Sequence, residues 1–557
     1  MARYTKTGTP NTIGQINAEL DLIAAAINDT YSRVGDTPNQ LESALDANSN
    51  RIINLPVGIS DSEPVRRIDI KNSGDASSSA LLRSDLENGI AIVSGVTRTF
   101  PTLSAALNSS IILNGDVLII KERATGLGGG GTWDTVVTST VTPNTTHIIT
   151  STATPTLALQ LRATRVMDAK QFGAVIDADA SVPINAALAL TTEVRLSENY
   201  KYDVINLNSY NTLKTLNGSS LTLISGHTPI ANATVQGVAT TGVSLIGIKF
   251  IGRGNEGLLY RTVSLNESVD ATIKFCKFDQ IHGSCIRLNK SEGAVVSRVS
   301  FTNVTGDVGD PGQGIYANGI IHFKFDRLIC SQIGDHLIYL QGRDATDFNR
   351  VEDGIISNIS AYTTGVNGLT GGAAIVIYNK SKNIQFRDIY TKDCRAGLKL
   401  GIKVNYLGLT THQMISFNNV KNESPTNRGF EITPDASIAT PAVTFNDAAD
   451  TVTKAAHLLQ NGDTIYFATI STTTGISINV KYYVISAATD SFQISLSNGG
   501  AAVSLVSDGS GTLTVPRPSD IVYNNCSTLF CKGGWGMQFS YADDVSVNNC
   551  ENKKGAG

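Results

Sequence analysis

Apolar and polar residues alternate along much of the chain, most regularly between residues 271 and 433. Six segments there share one plan: two stretches with an apolar residue at every second position, a turn rich in Asn or Asp, and a short strand that reads apolar, variable, apolar. They begin at ATIKFCKF, VVSRVSF, IIHFKF, GIISNIS, NIQFRD and HQMISF. A period of two predicts β-strands that bury one face.

Repetition of one unit predicts a solenoid, because each coil buries its inward side chains against the coils above and below. Alignment of the last strand of each unit places an apolar residue inward, namely Ile286, Ile315, Ile338, Ile377, Leu398 and Ile432. The neighbouring outward positions then form a row of Arg287, Tyr316, Tyr339, Tyr378, Lys399 and Glu431. Amide and other polar residues flank this row at Asn289, Asn318, Gln341, Lys380 and Thr433.

The next residue in step with the row is Gln538, far beyond the length of one coil. The intervening residues, roughly 436–517, contain alternating strands separated by Asn-Gly, Asp-Gly and Gly-Gly turns. We therefore expect a small all-β module inserted into one coil, with the last coils at residues 518–557.

The N-terminal region has a different pattern. Isoleucine and leucine repeat at heptad spacing in Ile13, Ile16, Leu20, Ile23 and Ile27. Isoleucine at both seam positions favours a three-stranded coiled coil, and the alternative is an amphipathic helix packed on its own domain. Residues 45–70 are rich in Asn, Pro and Gly and are expected to be extended.

Composition limits the possible functions. Hydrophobic residues make up 41% of the 557, enough for a core, whereas the net charge of -4 argues against a polyanion-binding surface spread over the whole chain. Neither a membrane span nor a secretion signal is visible, so folding in a cytoplasm is expected. The seven Cys have irregular spacing, which predicts reduced core thiols rather than a disulfide framework or a metal site, and no cofactor is expected.

Several motifs resemble known families. The heptad followed by ANSNRIINLPVGISDSEPVRRIDI resembles the virion-attachment region of bacteriophage tail spikes and tail fibres, which are homotrimers. GDVLIIKERATGLGGGGTWDTV resembles a neck module of such spikes. A phosphate loop at its four glycines, Gly128 to Gly131, is disfavoured because no Lys-Ser/Thr follows.

FGAVIDADASVPINAALAL, from Phe172, resembles the opening motif of pectate-lyase-like right-handed β-helices, although the usual G-D-G is missing. In that family a short helix covers the first coil. The resemblance implies a mainly β homotrimer with a virion-attachment region at 1–95, a β-rich neck at 96–167 and a right-handed parallel β-helix at 168–435.

The outward row suggests a glycan-binding surface. Stacked tyrosines offer apolar faces to sugar rings, and neighbouring amide and charged groups can bind hydroxyls. The predicted glycan contacts are Arg287, Tyr316, Tyr339, Tyr378, Gln341 and Lys399. The alternative is that the tyrosines pack under a loop or against another subunit. A nucleic-acid site is not expected, since the composition supplies no basic groove.

Depolymerising tail spikes cut polysaccharides by hydrolysis or by lyase chemistry. Hydrolysis requires two carboxylates at a set separation, and the carboxylates near the row are Asp310, Asp335, Glu352, Asp353 and Glu431. We rank Asp335 and Glu431 first, against the alternative of turn-forming or solvated carboxylates. For a lyase the candidates are Arg287, His336, Lys380 and Lys399, of which His336 falls at inward parity.

The sequence therefore predicts a homotrimeric tail spike in the virion tail. It would attach to tail or portal proteins through its N-terminal region and recognise a host surface polysaccharide, and the sequence leaves open whether it also depolymerises that polysaccharide. Because DDVSVNNCENKKGAG reads as part of a further coil, the alternative is a non-enzymatic adaptor or receptor-binding short spike, with another tail protein at that end. A secreted bacterial lyase is disfavoured, and no membrane insertion is expected.

Overall fold

The structure of the protein is a computed structural model. It describes residues 21, 95–215, 218–224, 234–254, 261–307, 311–342, 350–364, 372–378, 381–402, 412–434, 441–457, 459–514, 519–532, 536–539, 542 and 544–554. The predicted coiled coil and nearly all of the predicted attachment region lie outside these residues, as do the candidates Asp310 and Lys380.

A five-stranded sheet precedes the solenoid, with the strand order β1-β2-β3-β5-β4. Its strands are β1 (Thr97–Thr102), β2 (Val117–Ala124), β3 (Gly128–Val137), β4 (Ile148–Thr150) and β5 (Leu157–Leu161). Helix α1 (Leu103–Leu107) begins at Thr102, whose hydroxyl accepts a hydrogen bond from the amide of Ala105. Gly128 to Gly131 belong to β3 rather than to a loop that opens a helix, so the phosphate-loop geometry is absent from this segment.

The opening motif forms the predicted helix. Asp168 caps a short 3-10 helix (Ala169–Phe172) through a capping box with Gln171. Helix α2 (Ser181–Leu190) follows and buries Ile184, Ala187 and Leu188. Because α2 packs against β7 (Glu193–Leu196) and β9 (Ile205–Asn206), it covers part of the first coil, where β-strand edges would otherwise be open.

The solenoid is one 28-stranded sheet in which neighbouring strands of successive coils pair in parallel. Its first strands are short: β6 (Val166–Asp168), β7, β8 (Tyr200–Tyr202), β9, β10 (Thr212–Thr215), β11 (Ser220–Leu223), β12 (Val235–Val238), β13 (Ser244–Ile246), β14 (Lys249–Ile251), β15 (Val263–Asn266), β16 (Thr272–Lys274) and β17 (Lys277–Asp279). The middle strands are longer: β18 (Ile286–Glu292), β19 (Val295–Val304), β20 (Ile315–Ile321), β21 (Lys324–Ile333), β22 (Ile338–Gln341), β23 (Val351–Thr364), β24 (Ala373–Tyr378), β25 (Ser381–Lys392), β26 (Ala396–Ile402), β27 (His412–Glu423) and β28 (Arg428–Pro434).

Side chains inside the solenoid stack in register, as the alternation predicts. Phe250, Phe278 and Phe301 stand on successive coils with ring centroids 5.0 and 5.5 Å apart. Further along the axis, Phe417 stacks between Phe386 and Tyr523 at 4.6 Å on each side. These rings are fully buried. Because successive coils pair in parallel and in register, each core side chain stacks on the side chain at the equivalent position of the next coil. The core is therefore built in layers.

Single residues in the left-handed conformation make the corners of each coil. The corner that we call bend 2 separates the first and second strand segments of a coil. In eight successive coils it is occupied, in register, by Phe275, Arg298, Arg327, Asn358, Asp388, Asn419, Asn525 and Asn549. At this corner one residue alone joins the two strand segments.

A closed six-stranded barrel interrupts the solenoid after β28. Its strands are β29 (Ala442–Asn446), β30 (Thr451–Thr453), β31 (Thr464–Ser471), β32 (Tyr482–Ile485), β33 (Ser491–Ser495) and β34 (Gly509–Thr514). It has its own apolar core. The solenoid then resumes with β35 (Ser519–Asn524), β36 (Ser527–Cys531), β37 (Met537–Phe539), β38 (Val545–Asn548) and β39 (Glu551–Lys554). Glu431 pairs with Gln538 across the insertion, as the spacing predicts.

All seven cysteines are free thiols, six of them buried, in agreement with the sequence. In the part of the chain that the structure describes, none of the helices has the length and apolar character needed to cross a membrane.

Candidate functional site

The predicted residues Arg287, Tyr316, Tyr339, Tyr378, Lys399 and Glu431 lie on one outer face of the solenoid, and we call them the outer row. Arg287, Tyr316 and Tyr339 pair in register on three successive coils. Lys399 and Glu431 also pair. Because these strands are parallel and follow one another on successive coils, the row runs along the solenoid axis.

One position in the row was predicted wrongly. Tyr339 pairs with Val376, whereas Tyr378 pairs with Gln341, two residues further along both strands. The inward residue opposite Ile338 is accordingly Ile375, and Ile377 faces the core one step on. Tyr378 keeps its outward side because a shift of two residues preserves the face.

Direct contacts join the row from end to end. The Arg287 guanidinium carbon lies 4.7 Å from the centre of the Tyr316 ring. Tyr316 stacks on Tyr339 at 5.2 Å, and Tyr339 meets Tyr378 at 5.5 Å with the planes tilted by 47°. Lys399 Nζ lies 5.5 Å from the centre of the Tyr378 ring. The shifted register therefore keeps the three tyrosines in one aromatic column with a cation at each end.

The middle of the column is buried although it lies outside the solenoid core. Tyr339 and Tyr378 are 6% and 5% exposed. They form a small apolar cluster with Ala373, Val376 and Ala396, separate from the main core, and half-buried Tyr316 packs against it. The accessible part of the row is therefore at its ends, around Arg287 and Tyr316 on one side and Lys399 on the other, whose side chain is 15% exposed.

Gln341 belongs to the buried middle as well. Its amide oxygen accepts a hydrogen bond of 3.2 Å from the Tyr339 hydroxyl, and the residue is 4% exposed. Asn289, which lies in the same ladder nearer the Arg287 end, donates to Asn266 on the preceding coil at 2.6 Å. The polar residues predicted beside the row are thus present, but Gln341 and Asn289 form hydrogen bonds with other residues of the protein.

Asp335 is buried and holds the backbone of the next coil. One of its oxygens accepts the amide of Gly372 at 3.0 Å, and the other lies 3.2 Å from His336 Nε2. The other ring nitrogen of His336 lies 2.7 Å from the carbonyl oxygen of Ala373. His336 is 2% exposed, as expected for a histidine with both ring nitrogens in contact with polar partners. The pair bridges two coils.

Glu431 lies among cations. Its Oε1 is 2.6 Å from Arg428 Nη1 and 3.9 Å from Lys399 Nζ. The sequence analysis missed Arg428, although its place three residues before Glu431 on the same strand is a usable signal. The cluster places two cations beside a nearly buried carboxylate.

Asp335 and Glu431 do not form a hydrolytic pair in one chain. Tyr339 and Glu431 are separated along the ladder by Val376 and Lys399, which makes three coil steps. At about 4.8 Å per step this is about 14 Å, and Asp335 lies four residues before Tyr339 in its coil. Glycosidase carboxylates stand about 5 to 9.5 Å apart.

The candidate carboxylates Glu352 and Asp353 lie at a different corner of the coil. Glu352 pairs with Arg350 at 3.1 Å. Asp353 lies 3.3 Å from His322 Nε2 and accepts a hydrogen bond from Asn383. The structure does not bring either of them into the outer row. In the described part of the chain no group of three His, Cys, Asp or Glu side chains is placed to hold a metal ion.

Solved structures of two kinds resemble this fold. Tailspike protein 2 of bacteriophage CBA120 is 12% identical, covers 80% of this chain and 82% of its own, and has a TM-score of 0.37. The tailspike protein gp49 of Acinetobacter baumannii bacteriophage Fri1, described as a capsular polysaccharide depolymerase, is 10% identical over 75% of this chain and 98% of its own, with a TM-score of 0.39. The family 28 exopolygalacturonase of Yersinia enterocolitica is 10% identical over 72% and 73%, with a TM-score of 0.45.

No family model and no curated protein matches the chain. The similar structures thus include phage tailspikes and an exopolygalacturonase.

A second exposed cluster lies on another face of the solenoid, and the sequence analysis did not single it out. Tyr362 and Tyr390 meet edge to face at 5.8 Å, and the Tyr390 hydroxyl donates to Glu423 at 2.9 Å. Lys392 and Lys421 lie 3.2 and 3.1 Å from the same carboxylate. The sequence could have indicated this cluster, because both tyrosines occupy outward positions on adjacent coils. These contacts fix Glu423 within a compact charged cluster.

Proposed function

We propose that this chain is a bacteriophage tail spike whose β-helix binds a surface polysaccharide of the host through the ends of the outer row. The observation that carries the proposal is the continuous aromatic column of Tyr316, Tyr339 and Tyr378 with Arg287 and Lys399 at its ends. Virion attachment through residues 1–95 and assembly as a homotrimer are parts of the proposal that the N-terminal motifs support.

The two ends of the row have different chemistry. At one end, the guanidinium of Arg287, which lies over the half-buried Tyr316 ring, offers hydrogen-bond donors to the hydroxyls of a sugar residue. At the other end, Lys399, Arg428 and Glu431 offer donors and an acceptor within one cluster. The buried tyrosines between them hold both ends on a rigid support, which lowers the entropic cost of binding.

Non-enzymatic binding is the form of the proposal that the geometry supports best. Asp335 and Glu431 are too far apart for hydrolysis by one chain, and Asp335 is occupied by Gly372 and His336. The receptor-binding spike weighed as the alternative in the sequence analysis therefore gains support over a hydrolase that uses these two residues.

The first experiment is calorimetric titration of the full-length protein with capsular polysaccharide or O-antigen from the host. The same mixtures are assayed for new reducing ends and for the ultraviolet absorbance of unsaturated uronates. We expect binding without either product. New reducing ends alone would indicate a hydrolase and added absorbance a lyase, and absence of binding would refute the proposal.

The matched variants are Tyr316→Ala in the outer row and Tyr210→Ala as a control, since Tyr210 is 65% exposed and lies in the turn before β10. We expect Tyr316→Ala to weaken binding about tenfold, or about 1.4 kcal/mol, because it removes the ring over which the Arg287 guanidinium lies. Equal affinity for the two variants would place the binding site elsewhere. Deletion of residues 1–95 is expected to abolish incorporation into phage particles and to leave glycan binding intact.

A further inference from the structure

Six cations lie at or near bend 2 in neighbouring coils, and we call them the basic patch: Lys249, Lys274, Lys277, Arg298, Lys324 and Arg327. They occupy four consecutive coils, and their side chains lie on the surface. Such a concentration is unexpected in a chain with a net charge of -4.

Few carboxylates balance this patch. Lys249 Nζ lies 3.7 Å from Asp279, and Arg327 Nε lies 3.5 Å from Asp326. Asp326 is in addition held by hydrogen bonds from Ser357 and Asn358. Among the residues that the structure describes, the remaining cations, Lys274, Lys277, Arg298 and Lys324, have no carboxylate within 4.0 Å.

Two pairs of cations repel each other across adjacent coils. Lys249 and Lys277 pair in register, and Arg298 and Arg327 follow each other at bend 2. Adjacent coils are about 4.8 Å apart. Like charges at that spacing destabilise a sheet, and an anion placed between them would reverse the effect.

The residues at bend 2 in the coils of the basic patch differ from those in the later coils. Phe275, Arg298 and Arg327 have φ values of 59, 56 and 54°, a left-handed conformation that Asn, Asp and Gly tolerate far better. Later coils use those tolerant residues, and there the side chains bond along the stack: Asn419 donates to Asp388, and Asn549 donates to Asn525. Asn and Gly therefore suit this corner, and the coils with Phe275, Arg298 and Arg327 differ both from the coil before them, which has Gly247 there, and from the later ones.

Phe275 adds an apolar surface to the patch. It is 49% exposed, and the Arg298 guanidinium carbon lies 5.0 Å from the centre of its ring. A guanidinium binds carboxylate or phosphate oxygens in a bidentate manner, and an exposed ring next to it suits the apolar face of a sugar. An anionic sugar unit offers both groups at once.

We infer that the basic patch is a second glycan contact, for an anionic polysaccharide that lies along the solenoid axis and presents acidic groups to successive coils. This inference rests on the proposed function and deepens it, because it assigns acidic sugar units to the receptor. Bend 2 is one residue long in these coils, so the corner itself adds no loop to the path of a polymer that crosses them.

The test measures binding of the full-length protein to alginate, a polyuronate, and to neutral dextran, at low and high salt. The test variant is Arg298→Asn with Arg327→Asn, in which Asn suits the left-handed corner and the fold should be kept. The control is Lys454→Asn with Lys481→Asn, which removes the same charge from the barrel. We expect the parent and the control to bind alginate in a salt-sensitive manner and the test variant to bind about tenfold more weakly.

Three outcomes would overturn the inference: equal alginate affinity of the test variant and the parent, an equal loss in the barrel control, or competition by double-stranded DNA as effective as that by alginate. The last would indicate a general polyanion surface. Host polysaccharide binding that survives in the test variant would leave the proposed function standing while the inference fails, whereas absence of host polysaccharide binding in the parent would refute the proposed function itself.

Discussion

The rings of Tyr316 and Tyr339 stack 5.2 Å apart with their planes only 6° from parallel, although 23 positions separate the two residues in sequence. Register pairing of β20 and β22 produces this contact. The same pair differs in exposure, since Tyr316 is half-buried and Tyr339 is 6% exposed. Tyr316 is therefore the partly accessible ring of the pair, and Tyr339 is the buried ring that packs against it.

This difference predicts separate effects of mutation. Tyr339→Ala removes a buried ring from the small outer cluster and should lower the free energy of unfolding by about 3 kcal/mol. Tyr339→Phe keeps the ring and loses the hydrogen bond to Gln341, at a cost of about 1 kcal/mol. Urea denaturation followed by circular dichroism measures both. Equal stability of the alanine variant and the parent would show that the cluster contributes nothing to folding.

Asp335→Asn tests whether the first-ranked catalytic candidate is instead structural. The change leaves an amide in contact with the amide of Gly372 and with His336. We expect the free energy of unfolding to fall by about 1–3 kcal/mol, as for a disturbed buried hydrogen bond. Asp177→Asn is the matched control, because Asp177 is exposed and has a left-handed backbone that Asn also accepts.

Glycan binding and any release of sugar should be the same in Asp335→Asn as in the parent, once both are measured below their melting temperatures. A variant that folds with parental stability but loses a cleavage activity of the parent would restore Asp335 to a catalytic role.

The sequence predicted most of the solenoid because inward and outward positions alternate there with a period of two. Outward parity placed Arg287, Tyr316 and Tyr339 correctly. It failed in register at β24, whose sequence AAIVIY is apolar throughout, with all six residues buried. When both faces of a strand are buried, alternation no longer distinguishes registers two residues apart.

Pairwise geometry of the candidate site could not be predicted either. The separation of Asp335 from Glu431 depends on how many coils lie between them, and the burial of Asp335 depends on contacts with Gly372 and His336. Neither the number of intervening coils nor these contacts produce a periodic pattern in the sequence. The role of Arg428 depends in the same way on the direction of its side chain toward Glu431.

Stability should depend on pH through Glu423. Hydrogen bonds from Tyr390, Lys421 and Lys392 lower the pKa of Glu423 below its ordinary value of 4.5. The unfolded chain therefore takes up this proton at a higher pH than the folded protein does, so the stabilisation is complete above about pH 4.5 and is lost as the pH falls through the folded pKa. Solvent screening at this partly exposed cluster keeps the effect small.

The measurement is the melting temperature between pH 7 and pH 3, for the parent and for Glu423→Gln. We expect the two curves to converge at low pH, with the parent higher above the ordinary pKa. Parallel curves over the whole range would show that the cluster with Tyr390 does not stabilise the charged carboxylate.

Thiol reactivity should distinguish one cysteine from the other six. Burial raises the pKa of Cys276 and of Cys526 to about 12, and Cys550 alone is half-buried. Because the thiolate is the reactive form, we expect a disulfide reagent to modify about one thiol per native chain at neutral pH and all seven in denaturant. Cys550→Ser is the control, and it should remove the fast phase. Rapid reaction of several thiols in the folded protein would mean that the coils open often enough to expose their interior.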